Sequence, residues 1–160
     1  MRISIYAVGR LKSGPERELS ARYIDRFSKT GASRGLTFDR IVELPESRAS
    51  AAATRKREEH EGLARQLPAD ALIVALDEGG KALDSNAFAR MLQEWNDAGH
   101  RDLAMIIGGA DGLDRELIAR ADAVLSFGKL TWPHQIVRIL LAEQLYRAAT
   151  ILTGHPYHRN

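Results

Sequence analysis

The sequence predicts an α/β protein with a mostly parallel sheet and helices on both faces, and three observations support this class. Strand-like segments alternate with helix-like segments along the chain, an order that favours parallel strands joined by helical crossovers. Residues 71–76, 103–107 and 123–125 are continuous apolar runs, which are typical of strands buried on both faces. The 160 residues contain no internal repeat, linker or low-complexity stretch, so we expect one domain spanning residues 1–160.

The first part of the chain predicts a strand, a helix and a second strand. Residues 3–8 alternate and are rich in β-forming side chains, which indicates a strand. A helix begins near Pro15, a residue suited to the first helical position, and residues 31–35 end it. Its apolar stripe consists of Leu19, Tyr23, Ile24 and Phe27. Residues 36–44 predict the second strand, because β-forming side chains are again frequent there.

Residues 47–66 are rich in alanine and charge and contain few large apolar side chains. Mixed charge at helical spacing favours a solvated helix. A basic patch that contacts RNA is the alternative interpretation of residues 55–57. The adjacent acids Glu58, Glu59 and Glu61 favour the solvated helix.

The elements between residues 71 and 125 continue the alternation. They are a strand at 71–76, a turn at 77–80, a helix from about Asp84, a strand at 103–107, a glycine-rich loop at 108–112, a helix at about 114–121 and a strand at 123–125. The helix from Asp84 has an apolar stripe at i, i+3, i+4 and i+7 spacing, which predicts core packing rather than a cofactor site. The stripe is Phe88, Met91, Leu92 and Trp95.

The C-terminal part predicts a glycine-bearing loop, the longest helix and a polar tail. Pro133 suits the first turn of this helix, and Thr131 is its expected cap. Apolar side chains recur with helical spacing as far as Leu152, and Gly154 is expected to end the helix.

Composition excludes several classes of protein and of site. The chain has no cysteine, so it can form no disulfide, no thiolate metal site and no cysteine nucleophile. The histidines lack HxH or HExxH spacing, so we expect no metal. No apolar run approaches the roughly 20 residues that span a bilayer, and no secretion signal is evident. We therefore expect a cytoplasmic protein with no membrane contact.

Glycine-rich loops follow the three apolar strands, and they predict a shared ligand site. Ligands of open parallel sheets bind outside the carboxyl ends of the strands, and glycine lets the backbone approach a ligand. Tight turns alone are the alternative explanation. The chain contains no dinucleotide fingerprint, phosphate-loop lysine or nucleophile elbow.

The C-terminal segment is the most basic part of a chain whose formal net charge is only +2. Its cations from residue 129 onward are Lys129, Arg138, Arg147 and Arg159, against the single acidic side chain of Glu143. In the tail, Tyr157 offers a stacking face and Arg159 can bind phosphate. This combination is typical of contact with a splayed nucleotide. A disordered tail and an ordinary solvated face are the alternatives.

Several of these segments together resemble the RlmH (YbeA-like) family, SPOUT-class methyltransferases of large-subunit ribosomal RNA. The matching segments are residues 72–80, 106–112, 130–135, 143–148 and 155–159, together with Arg138. The resemblance covers the chain from the first strand to the last residue, and its C-terminal motifs are the most specific.

The resemblance implies a C-terminal trefoil knot, which patterning would not suggest because true knots are very rare. It also implies a homodimer that uses S-adenosyl-L-methionine, with no metal. The implied target is N3 of pseudouridine 1915 in helix 69 of 23S ribosomal RNA, within the assembled 70S ribosome.

The same resemblance assigns the donor site mainly to backbone groups. Its residues are Leu76, Gly108, Phe127, Gly128, Lys129, Leu130, Thr131 and Trp132. This chain departs from the commoner family pattern, since Phe127-Gly128-Lys129 replaces a Leu-Ser-small/polar run and Trp132 replaces a smaller apolar residue.

For the chemistry, His158 is the expected general base, because its ordinary pKa lies nearest neutrality. Arg159 and Arg147 are expected to stabilise the imide anion and hold phosphate, and Tyr157 to stack on the base. The rival hypothesis is a non-catalytic RNA- or ribosome-binding α/β module that uses the same tail. A second alternative, an unrelated nucleotide-binding enzyme of doubly wound fold, is disfavoured by the missing phosphate-loop motifs.

Overall fold

The chain is described by a computed structural model that covers residues 1–158. In this part of the chain, five strands form one sheet in the order β2-β1-β4-β3-β5. The strands are β1 (Arg2–Val8), β2 (Thr37–Leu44), β3 (Leu72–Lys81), β4 (Asp102–Ile107) and β5 (Ala123–Leu125). Every pairing between neighbouring strands is parallel, which confirms the predicted sheet.

Helices cover both faces of this sheet, as the sequence predicts. They are α1 (Pro15–Gly31), α2 (Ala52–Ala64), α3 (Ser85–Asp97), α4 (Arg115–Arg120) and α5 (His134–Thr153), with a short 3₁₀ turn at Ala32–Arg34. One buried cluster joins the sheet to α1, α3 and α5. A smaller buried cluster joins the opposite face to α2 and α4.

The strand β1 shows how the alternating sequence divides between the two faces. Ile3, Ile5 and Ala7 pack into the larger cluster, whereas Tyr6 and Val8 pack into the smaller one. All five side chains are at most 1% exposed, because β1 lies between β2 and β4 and has helices on both sides.

The helix ends confirm some predicted boundary signals and contradict one. Asp84 caps α3 by accepting a hydrogen bond from the backbone N–H of Ala87 at 2.7 Å. Gly154 ends α5 in the left-handed region, with φ of 69°. The prediction that Thr131 caps α5 is wrong, because the capping position is Pro133 and no side chain caps the helix. Thr131 stands two residues too early for that position.

The predicted turn at residues 77–80 is also wrong in part, because β3 continues to Lys81. The ladder with β5 is nevertheless interrupted there, since Leu76 and Lys81 both have Leu125 as their partner. The backbone N–H of Ser126 donates to the carbonyl of Lys81 at 3.0 Å and closes the irregular stretch. The turn signal thus marks a bulge within a longer strand.

The helix α2 is solvated on most of its surface, as the mixed charge predicts, but Glu59 and Leu63 are buried. Among the described residues, no helix combines the length and the apolar character that a membrane span requires.

Candidate functional site

The carboxyl ends of β4, β3 and β5 lie side by side, where the sequence predicts a shared site. Leu76 near the regular end of β3 is paired with Ile107 of β4 and with Leu125 of β5. Gly108 directly follows Ile107, and Phe127 is two residues beyond Leu125. The structure therefore brings Leu76, Gly108 and the beginning of segment 127–132 to one edge of the sheet.

Two glycines at this edge are required by close packing of the backbone. A Cβ on Gly80 would lie 2.6 Å from the carbonyl carbon of Leu125, and a Cβ on Gly108 would lie 2.8 Å from that of Gly112. Real Cβ atoms essentially never show such contacts. Tight packing thus explains these two glycines, and a ligand is not needed to account for them.

The loop between β5 and α5 exposes apolar side chains beside the same edge. The described chain has three exposed large hydrophobic side chains, and two of them are Leu130 at 72% and Trp132 at 41% exposure. The start of the loop is ordered, since the Ser126 hydroxyl donates to the carbonyl of Gly128 at 2.8 Å. Leu130 and Trp132 are two residues apart in this loop, which makes the loop a candidate surface for a ligand or a partner.

The tail folds back onto α5, which contradicts the alternative of a disordered tail as far as Tyr157. The Tyr157 hydroxyl donates to Glu143 Oε1 at 3.1 Å. Its ring centroid lies 4.6 Å from that of Tyr146, and the guanidinium carbon of Arg147 lies 4.9 Å from the Tyr157 centroid. The ring expected to stack on a base therefore already contacts an aromatic ring and a cation of its own chain.

Glu143 is the centre of this tail cluster, which we define as Tyr23, Glu143, Tyr146, Arg147 and Tyr157. Its Oε1 accepts from Nε and Nη2 of Arg147 at 2.9 and 2.5 Å, and its Oε2 accepts from Gln144 Nε2 at 2.7 Å. These bonds raise the pKa of the Arg147 guanidinium. Burial, followed by hydrogen bonds to Tyr23 and Glu143, raises the pKa of Tyr157. Arg147 therefore stays charged and Tyr157 neutral at physiological pH.

A chain of hydrogen bonds links the tail cluster to the start of α3. The Ser85 hydroxyl donates to Gln144 Oε1 at 2.8 Å, and Gln144 in turn donates to Glu143. Ser85 follows the end of β3 by four residues. The cluster is thus connected to the first turn of α3.

Along α5, however, the tail cluster and the exposed loop are well separated. Glu143 and Arg147 are 9 and 13 residues beyond His134, the first residue of α5. At a rise of about 1.5 Å per residue, they lie roughly 14 and 20 Å along the helix axis from its start.

The structure describes one of the two remaining predicted catalytic residues. His158 is partly buried and is the last described residue, whereas Arg159 lies outside the described residues.

The basic C-terminal surface is smaller than the sequence suggests, because Arg138 does not contribute to it. This side chain is 3% exposed. Its guanidinium pairs with Glu43 of β2 and donates to the carbonyls of Val8, at 3.2 Å, and Gly9. Arg138 therefore joins α5 to the carboxyl ends of β1 and β2.

Arg55 is not available to the RNA-binding patch that is the alternative interpretation of residues 55–57. Arg55 Nε and Nη2 donate to the two carboxylate oxygens of Asp111 at 2.6 and 3.0 Å. Arg57 is exposed on the same helix. The first arginine of the run is thus used inside the fold.

One cluster of possible metal ligands also lies beside α2. The ligand atoms of His60, Asp114 and Glu116 all lie within 4.8 Å of one another. Histidine spacing could not reveal this cluster, because its ligands come from two separate elements. Glu116 is 82% exposed and Asp114 caps α4, so each carboxylate also has an ordinary structural explanation.

Sequence reasoning missed Glu143 and Tyr23 as members of the tail cluster. The i, i+4 spacing of Glu143 and Arg147 is a signal that favours an ion pair on one helix face. No local signal connects Tyr23 of α1 to the tail.

Comparison with known proteins gives consistent matches over the length of the chain. A family model described as "Predicted SPOUT methyltransferase" matches residues 1–158. A protein of Agrobacterium fabrum named ribosomal RNA large subunit methyltransferase H is 65% identical over 99% of both chains. A protein of Rhizobium meliloti with the same name is 64% identical over 99% of both chains.

Among solved structures, a probable methyltransferase from Bordetella pertussis Tohama I is similar in fold. Its TM-score is 0.53 at 13% identity, over 92% of this chain and 95% of that chain. At this identity the likeness concerns the fold alone.

Proposed function

Since the chain belongs to the SPOUT methyltransferase family, among the ribosomal RNA large subunit methyltransferases H, we propose that it methylates ribosomal RNA of the large subunit. The proposed target is N3 of pseudouridine 1915 in helix 69 of 23S RNA, within the assembled 70S ribosome in the cytoplasm. The chain acts as one domain over residues 1–160. The names and the identity of its relatives support methylation of large-subunit ribosomal RNA, whereas the position and the atom rest on the resemblance carried by its sequence motifs.

The proposed methyl donor is S-adenosyl-L-methionine, held at the edge formed by β4, β3 and β5. Leu76, Gly108 and residues 127–132 would hold it. The exposed apolar surfaces of Leu130 and Trp132 suit the adenine ring, since nucleoside sites are mostly apolar with a few polar contacts. Trp132 stands where the commoner family pattern has a smaller apolar residue. Its larger ring offers the adenine more apolar surface, so the substitution is compatible with this role.

The side chains of the tail would act on the RNA base. When bound, S-adenosylmethionine supplies an electrophilic methyl group whose carbon–sulfur bond breaks as the bond to N3 forms. N3 must lose its proton, and we assign its removal to His158. Arg147, together with Arg159, would stabilise the negative charge on the imide. Tyr157 stays protonated because its pKa is raised, so it does not compete as the base.

Arg147 keeps donors for an anion although it is paired with Glu143. A guanidinium has five N–H groups, and the two bonds to Glu143 involve only Nε and Nη2. Stacking of the base on the ring face of Tyr157 that Arg147 covers would require the guanidinium to move away. We therefore propose that RNA binding rearranges this pair.

We further propose a homodimer in which the tail of one copy faces the donor loop of the other, with the C-terminal trefoil knot of the SPOUT class shaping that loop. Within one chain, roughly 14 to 20 Å along α5 separates the tail cluster from the loop. Methyl transfer needs the reacting atoms about 3 to 3.5 Å apart. That separation supports a site shared between two copies.

The observation that carries the proposal is the meeting of three strand ends at Leu76, followed after β5 by a loop with two exposed apolar side chains. The test is to incubate ribosomes that lack the modification with the protein and isotope-labelled donor, then map the mass of helix 69 fragments. One methyl group on the pseudouridine is expected. Calorimetry with the donor distinguishes this proposal from the rival hypothesis of a non-catalytic RNA-binding module. Such a module would bind ribosomes without any affinity for S-adenosylmethionine.

A further inference from the structure

We propose that Arg55 of α2 is a positioning residue for the loop 108–112, holding it in the form that receives the methyl donor. This inference rests on the proposed function, in which Gly108 belongs to the donor site. It assigns a role in donor binding to a helix that lies on the other face of the sheet from α5.

The contacts of Arg55 place one guanidinium between two segments of backbone. Nε and Nη2 form a bidentate pair with Asp111 at 2.6 and 3.0 Å. Nη1 donates to the carbonyls of Ala49 and Ser50, both at 2.9 Å. The Arg55 and Asp111 side chains are only 27% and 28% exposed, so this pair is largely shielded from water. Such fork-shaped pairing fixes orientation as well as distance.

Both partners are charged near neutral pH. The hydrogen bond from Arg55 lowers the pKa of the Asp111 carboxyl, and the same bond raises the pKa of the Arg55 guanidinium. The contact is therefore present across the physiological range of pH.

Fixing Asp111 fixes the whole loop, because the loop is a tight turn. The backbone N–H of Gly112 donates to the carbonyl of Gly109 at 3.1 Å, and these two residues form an isolated antiparallel bridge. Gly108 packs directly against the backbone of Gly112. Asp111 lies between the two bridged residues, so a shift of its carboxylate moves the turn on which Gly108 packs.

A second side chain of α2 adjoins the same loop one turn later. Glu59 is 8% exposed, and a Cβ placed on Gly109 would lie 3.2 Å from its Oε2. Its Oε1 accepts from the backbone N–H of Ser47 at 2.9 Å. Arg55 and Glu59 are spaced i, i+4, so they share one face of α2. The same face therefore anchors both the loop and the segment that precedes α2.

The test compares donor affinity among variants of the whole protein by calorimetry with S-adenosylmethionine. For Arg55→Ala we expect the dissociation constant to rise about tenfold, a size suited to losing a partly shielded bidentate pair. Arg57→Ala, on an exposed position of the same helix, is the matched control and should bind like the wild type. In turnover assays on ribosomes, KM for the donor should rise while kcat at saturating donor stays within about twofold.

Two further variants keep the test decisive if Arg55→Ala folds poorly. Arg55→Lys keeps the charge but loses the fork, and Asp111→Asn keeps the shape but loses the charge; each should weaken donor binding. The double variant Arg55→Ala/Asp111→Ala should bind no more weakly than Arg55→Ala alone, because the two side chains act as one unit.

The outcomes separate this inference from the proposed function. A wild-type protein without donor affinity would overturn the proposed function, and this inference with it. A wild-type protein that binds the donor, with folded Arg55 and Asp111 variants that bind equally well, would overturn the positioning role alone. A loss of thermal stability without a change in donor affinity would also overturn it, since Arg55 would then only stabilise the fold.

Discussion

The substitution Gly80→Ala tests whether the bulge in β3 depends on direct contact with the backbone of β5. The added Cβ would lie 2.6, 2.7 and 2.8 Å from the carbonyl carbon, nitrogen and oxygen of Leu125. Ordinary van der Waals contact begins at 3.4 Å, so the two backbones must separate by about 3.4 − 2.6 = 0.8 Å. Leu125 cannot yield by rotating a side chain, because all three contacts are to its backbone.

A separation of this size would break the bond between the Ser126 N–H and the Lys81 carbonyl, which is 3.0 Å long. Overpacking of this kind costs about 1–3 kcal/mol, and the lost hydrogen bond adds about 1 kcal/mol. We therefore expect Gly80→Ala to lower the free energy of unfolding by about 2–4 kcal/mol, which corresponds to a fall in Tm of roughly 4–16 °C at this chain length.

Gly79→Ala is the matched control, because its Cβ would meet only the Asp77 carboxylate, at 3.2 Å. This carboxylate accepts from the Gly79 N–H at 2.9 Å, but it is the end of a side chain and can shift more easily than backbone. Urea unfolding followed by circular dichroism measures both variants, with the slope m compared to confirm the same transition. If Gly80→Ala and Gly79→Ala lose the same stability within about 0.5 kcal/mol, steric contact with Leu125 does not explain the glycine.

Three other substitutions test the buried arginine, the tail and the exposed loop. Arg138→Ala removes the cation paired with Glu43, which keeps the Leu11 N–H as a donor, and it removes one donor from the carbonyls of Val8 and Gly9. Urea unfolding should therefore show a loss of about 3 kcal/mol. A loss under about 1 kcal/mol would mean that water replaces the side chain. Because the pKa of Tyr157 is raised in the folded state, the native state holds the proton more tightly and loses stability as pH rises through the unfolded value of about 10. From about pH 9 to 11, the unfolding free energy of Tyr157→Phe should thus fall less steeply than that of the wild type, and equal slopes would refute the raised pKa. Trp132→Ala should weaken donor binding at least about tenfold while changing the free energy of unfolding by under about 0.5 kcal/mol. The control is Ile41→Ser, at the third exposed hydrophobic position of the described chain. Similar effects of both variants on donor binding would argue against a specific role for Trp132.

Much of the fold could be predicted because local pattern and burial agree. Residues 103–107 are apolar throughout and form β4, which is paired on both sides and covered on both faces. The meeting of the three loops followed from general sheet geometry, since the carboxyl ends of parallel strands share one edge.

The contacts that could not be predicted join residues far apart in the chain. The burial of Arg138 depends on Glu43, 95 positions away, and a cation in an amphipathic pattern is usually solvated. Arg55 is similar, because its partner Asp111 lies 56 positions further along. In both cases the sequence shows a charge, and only the tertiary structure shows what neutralises it.

The sequence predicted where the three loops meet better than it predicted which contacts their residues and the tail make. Glycines at the ends of strands indicated the edge, but at Gly80 and Gly108 the cause is packing between backbones. Tyr157 carried the signal of a stacking residue, yet its ring is already engaged by Tyr146 and Arg147. Residue type indicates which contacts a side chain can make. It does not show whether residues of the same chain already make those contacts.

The exposed loop also gives the protein a built-in optical probe. The chain contains two tryptophans, and they occupy different surroundings. Trp95 packs against the larger buried cluster, whereas Trp132 is 41% exposed in the loop after β5. Because Trp95 is partly buried, acrylamide should quench the emission of Trp132 more strongly than that of Trp95. Protection of that emission when a small molecule or a second copy of the chain covers the loop would report on occupancy of this surface in the unlabelled protein.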